Sequence, residues 1–172
     1  RPLPVIMRHN EELELNRVEY AGSVTLAELE ALLRFQAANP TWLTYDVLSL
    51  VPPGAHFSTV DLAELDTLFA SYRQIFAPLT FLILRRSAWI CQSSAAETHV
   101  LHWLGGRDTK AGMATDARLF EGFADAGEWL VLHPNEIGVL ERAEGFSVIF
   151  HADSARARGD RRRRTPSTGS CP

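Results

Sequence analysis

"LSLVPPGAHFSTVDLAELDTLF", residues 48–69, decides how the whole chain is read. Its first four residues, three of them apolar, read as the end of a strand, and Pro52-Pro53-Gly54 then breaks the backbone out of regular structure. Beyond the break Leu62, Leu65, Leu68 and Phe69 fall at helical spacing, so the stretch reads as strand, turn, helix.

The same succession recurs on both sides. "VIMRHN" (5–10) and "LELNRVEYAG" (13–22) read as two early strands, with Leu13, Leu15, Val18 and Tyr20 as inward residues. A helix follows in "TLAELEALLRFQAAN" (25–39), carrying Leu26, Leu29, Leu32, Leu33 and Ala37 on one stripe and halted by Pro40. "TWLTYDVLSLV" (41–51) reads as a strand. "LTFLILRR" (79–86) is almost continuously apolar, the pattern of a central strand covered on both faces. "SAAETHVLHWL" (94–104) predicts a third helix, "GGRDTKAGMATD" (105–116) a loop, "ARLFEGF" (117–123) a short strand and "DAGEWLVL" (125–132) the opening of a fourth helix. "FSVIFHA" (146–152) is a further strand or a small appendage on the core.

Alternation of this kind predicts an α/β fold: a mixed, largely parallel central sheet of about four to six strands with about four helices, and an antiparallel edge hairpin from the two early strands. The expected layout is one α/β domain over residues 1–152, with a core over about 13–132 and a C-terminal extension over 133–152. Residues 153–172 form an Arg-rich tail expected to be disordered.

Capping chemistry predicts where the helices begin. Thr25–Glu28, Ser58–Asp61, Ser94–Glu97 and Asp125–Glu128 each place a capping side chain three residues before an acid. Asp makes the poorer box, because its shorter side chain reaches back less easily.

Composition narrows the function classes. The chain has 172 residues, 46% hydrophobic and 22% charged, enough for a sizeable core. No apolar run approaches the roughly 18 residues a membrane span needs. The net charge of −4 is uneven: residues 153–172 hold six arginines and two aspartates, leaving −8 on residues 1–152. An acidic body argues against nucleic-acid binding by the body, since phosphate contacts need clustered cations. The tail run Arg161–Arg164 reads either as a polybasic contact or as a solvated terminus. The two cysteines, Cys91 and Cys171, form no disulfide or zinc framework, and a reducing cytoplasm is the expected location. No cofactor motif is present; "GGRDTKAGMATD" matches neither nucleotide-binding glycine pattern.

Several residues carry two readings. Ser58 and Thr59 sit at a predicted helix mouth, where a hydroxyl caps the first turn and where a phosphate would be tolerated by the helix dipole. His99 and His102, spaced i, i+3 beside Glu97, could start a metal site or simply pack. Cys91 is either a thiol activated near a helix start or an inert strand-end residue. Arg85, Arg86 and Arg107 would converge on an anion if the strand end and the 105–116 loop are neighbours. Trp42, Trp89, Trp103 and Trp129 lie in apolar patterns, and some of them could line a cavity between helices and sheet.

The run from "VEYAGSVTLAELEALL" through "TYDVLSLV", the Ser58 helix and "LTFLILRRSAWI" to "RLFEGFADAGEWL" resembles the SpoIIAA-like branch of the STAS domains. The last segment supplies Phe120, Phe123, Ala126, Glu128, Trp129 and Leu130, and the resemblance spans about residues 13–132. It implies a bacterial, non-enzymatic regulatory module working through a protein partner near the start of the second helix. It also implies a candidate phosphorylation site at Ser58 or Thr59, where the antagonists of this family carry a D-S-[ST]-G-[LI] motif. Here the place is taken by "HFSTVD", with His56–Phe57 in place of the aspartate and no glycine. The likeness of this branch to Sec14-type folds implies the alternative, a carrier holding a small apolar ligand or lipid, with Trp89, Trp103 and Trp129 at the pocket. A homodimer and an uncharacterised small enzyme are the remaining expectations.

Overall fold

The computed structural model describes residues 3–79, 85–105 and 115–152. They form a six-stranded sheet with five α-helices, the mixed and mostly parallel α/β arrangement that the alternation predicts. The strands are β1 (Val5–Asn10), β2 (Leu15–Tyr20), β3 (Asp46–Val51), β4 (Arg85–Cys91), β5 (Thr115–Phe120) and β6 (Ser147–Ala152). The helices are α1 (Leu26–Ala38), α2 (Leu62–Phe76), α3 (Glu97–Leu104), α4 (Phe123–Trp129) and α5 (Pro134–Arg142).

Spatial order in the sheet is β5-β4-β3-β2-β1-β6. The β2–β3, β3–β4 and β4–β5 pairs are parallel, whereas β1 runs antiparallel to both β2 and β6. The early hairpin is therefore internal, because β6 adds beyond it and becomes the edge. The helix α5, for which no element was expected, opens with Pro134 and a reciprocal box in which Glu136 Oε1 accepts from the His133 N–H at 2.8 Å.

The pleat of β3 sorts the helices into two layers. Val47 and Val51 face α1, α2 and α3, packing with Leu29, Leu32, Leu65, Phe69 and Val100. Leu48 and Leu50 face the other way, joining Leu15, Ala88 and Ile90 against Ala126, Leu130 and Leu140 of the α4–α5 layer. Side chains alternate across a strand, so one run of six residues serves both cores.

Helix starts agree with the sequence only in part. Thr25 and Glu28 form the expected box at α1, Glu28 reaching the Thr25 N–H at 2.8 Å. The second helix begins four residues after Ser58. A turn closed by Val60 N–H on Phe57 O (2.9 Å) buries Phe57 and Val60, and the box is then made by Asp61 with Glu64. Glu64 reaches back where the shorter Asp61 would have to serve Ser58, so the later start wins. Similarly, α4 starts after Gly122 rather than at Asp125, and a 3-10 turn (Ser94–Ala96) preceded by Ser93 leads into α3.

Candidate functional site

A cavity of about 110 Å³ lies between the sheet and the α1–α3 layer. Its origin is legible in the strand register. Val47, Ser87 and Ala117 form one row across β3, β4 and β5, and Ser49 stands beside Trp89 in the next. Short side chains in these rows leave space that the roof does not fill, and the roof is built from large residues: Leu68, Phe69, Tyr72 and Phe76 of α2 with His99 and Trp103 of α3.

Aromatic packing fixes the walls. Tyr20 stacks on Trp89 with ring centroids 5.6 Å apart, and Trp103 meets Phe69 and Tyr72 edge-on at 5.4 and 5.9 Å. The Tyr72 hydroxyl donates to Gln36 Oε1 at 2.6 Å. Burial pushes the phenols of both Tyr20 and Tyr72 well above the ordinary range, so both remain neutral hydroxyls.

Among the described lining residues there is one guanidinium and no carboxylate. Arg85 enters from the floor, its Nε donating to Thr115 Oγ1 at 3.2 Å and its guanidinium lying 4.7 Å from the Phe76 ring centroid. Burial of the charged end pushes its pKa down to about 10, against the smaller opposing pulls of Tyr72, Tyr20 and Asp46. The residue as a whole keeps partial exposure, consistent with a guanidinium that borders open cavity space. No carboxylate lies within salt-bridge distance of it among the described residues. The nearest acid by field, Asp46, accepts the Arg86 backbone N–H at 2.7 Å.

His99 also lines the cavity. Its Nε2 is 2.8 Å from the Val60 carbonyl, which can only accept, so Nε2 carries the proton. Nδ1 is left buried with no partner.

The other residues singled out in the sequence are placed as follows. Trp89 and Trp103 line the cavity, whereas Trp129 belongs to the opposite layer. Arg85 and Arg86 do not converge: successive residues of β4 point to opposite faces, and Arg86 donates to the Trp129 carbonyl at 3.1 Å while lying 5.9 Å from that ring. Arg118 approaches the same ring at 5.0 Å. Arg107 lies outside the described residues, as do the 153–172 tail and much of the 105–116 loop.

Ser58 and Thr59 are both exposed on the crest of the turn before α2. Ser58 caps no helix; its Oγ is 2.9 Å from His56 Nδ1. His102 pairs with Asp66 at 2.9 Å, away from the partner of His99, and no group of three or more potential metal ligands occurs among the described residues. The Cys91 thiol is half-buried and donates to the Ser93 carbonyl at 3.3 Å.

Tyr20, Tyr72, Ser49, Ser87 and Thr115 belong to the cavity without having been singled out as site residues. A signal for two of them existed: Ser49 and Ser87 interrupt otherwise apolar strand patterns, and buried hydroxyls on a strand call for a partner. No family model matches this chain, and no curated protein or solved structure matches it, so its site is argued from its own geometry.

Proposed function

We propose that this protein binds a small, mainly apolar ligand between the sheet and the α1–α3 layer. The observation that carries the reading is the cavity itself, roofed by aromatic side chains and floored by short ones. Pockets of this composition, apolar with a few convergent polar groups, are the usual form of a small-molecule site. Size restricts the class. An engineered cavity of about 150 Å³ holds a single benzene ring, so about 110 Å³ suits a ligand of that scale or smaller, not an acyl chain. Native mass spectrometry of the full chain purified from cells, before and after denaturation, tests the reading. A non-covalent mass lost on denaturation supports it. A bare mass, together with no response of Trp89 and Trp103 fluorescence to small aromatic and branched aliphatic probes, contradicts it.

A second reading is a STAS-type module regulated through contacts near Ser58 and Thr59. It is favoured by the exposure of both hydroxyls at the turn before α2, where a modifying enzyme has access. A covalent increment of about 80 Da that survives denaturation and maps to either residue is the expected sign of such a switch. The two readings are compatible, because Phe57 and Val60 of that turn connect it to the cavity: Phe57 lines it and Val60 holds His99.

A further inference from the structure

Resting on the ligand-binding reading, we infer that the cavity selects a small monocarboxylate, whose anionic end pairs with Arg85 and whose apolar body lies among Trp89, Trp103 and Phe69. The arrangement of charge leads there. Arg85 is a cation partly withdrawn from water, with one hydroxyl acceptor and one ring face as its partners among the described residues. Such a group is destabilising unless an anion balances it. No carboxylate of the described chain pairs with it directly, and Asp46, which acts on it only through its field, accepts a backbone N–H instead. The Arg85 guanidinium borders the cavity, so an anion within the cavity reaches the N–H groups that Thr115 does not use.

Guanidinium and carboxylate match as planar two-pronged groups, so the two carboxylate oxygens can accept from both terminal nitrogens at once. A single positive charge balances one negative charge; a dianionic phosphate would bring a second charge with no second guanidinium or ammonium group to meet it among the described lining residues. The neighbouring Tyr20 and Tyr72 phenols are held neutral, so they add no repulsion to an incoming anion. At the α3 side the buried Nδ1 of His99 supplies an acceptor in the neutral ring. A hydroxyl or amine on the body of the ligand would satisfy it.

Calorimetric titration of the full chain with matched pairs separates the possibilities: propionate against propionamide, and isobutyrate against isobutyramide. Each amide keeps the shape of its acid and removes the charge. The expected result is tighter binding of at least one acid than of its amide, by about tenfold or more, with the preference abolished in Arg85→Gln while the amide affinity is kept. Equal binding of acid and amide in the native protein overturns the carboxylate inference and leaves the ligand-binding reading standing. Failure of all four probes to bind overturns both. The comparison within the native protein decides the matter even where Arg85→Gln does not fold. Inorganic phosphate competing with isobutyrate at equal concentration would also overturn the inference, since it would show a general anion site.

Discussion

Arg85 and Arg86 are adjacent on β4, yet the two faces of the sheet treat them differently. Arg86 enters the α4–α5 layer and is met there by a carbonyl and an indole ring of Trp129. Arg17, on the same face, is 5% exposed and finds two carbonyls at the end of α5 together with Glu19. Arg85 enters the α1–α3 layer and meets one hydroxyl, one phenyl face and a cavity. The α4–α5 face satisfies its cations from within the chain and so uses them as structure. The opposite face gives its cation no carboxylate partner among the described residues, which is the ground for assigning it a ligand.

Substitutions on each face sharpen or break that contrast. The largest effect is expected for Arg17→Met. It strips the Leu140 and Glu141 carbonyls of their donor and leaves Glu19 without its 3.0 Å partner. Urea unfolding should show a loss of about 2–3 kcal/mol. Next comes Gly127→Ala in α4. Alanine normally favours a helix interior, but a Cβ at this position would stand 2.5 Å from Ile137 Cγ1 of α5. The usual gain is expected to reverse to a cost of about 1–2 kcal/mol by the same measurement, because the closed layer has no spare volume. Arg86→Met should cost about 1 kcal/mol, removing a charge-assisted bond to Trp129 and a ring contact while leaving Arg118 against the indole. Stabilisation by any of these three changes would remove the distinction between the faces.

The alternation of strands and helices was legible because it rests on local periods, and residues 48–69 already contain both. The capping box at Thr25 was legible for the same reason. The start of α2 was not, since choosing between Ser58 and Asp61 depends on the burial of Phe57 and Val60 against distant elements. Opposite placement of Arg85 and Arg86 followed from strand pleating and was within reach of the sequence once 85–91 is read as a strand. The cavity was only half visible. Tryptophans marked apolar bulk, but the lateral neighbours Val47, Ser87 and Ala117 come together only through the parallel pairing of β3, β4 and β5. Likewise, the unpartnered Nδ1 of His99 depends on Val60, 39 residues away in the chain, occupying Nε2.

The smallest effect tests the central claim most directly. Thermal unfolding of Arg85→Met should be measured beside the native protein, with and without isobutyrate. Removing an unbalanced buried cation gains more than the Thr115 bond and the Phe76 contact lose, so the variant should melt higher in ligand-free buffer by about 2–4 °C, corresponding to about 1 kcal/mol for a chain of this size. Isobutyrate should raise the melting temperature of the native protein more than that of the variant. A variant that melts lower than the native protein, and that isobutyrate stabilises as much as it does the native protein, would show that Arg85 is a structural cation like Arg86 and would contradict the account.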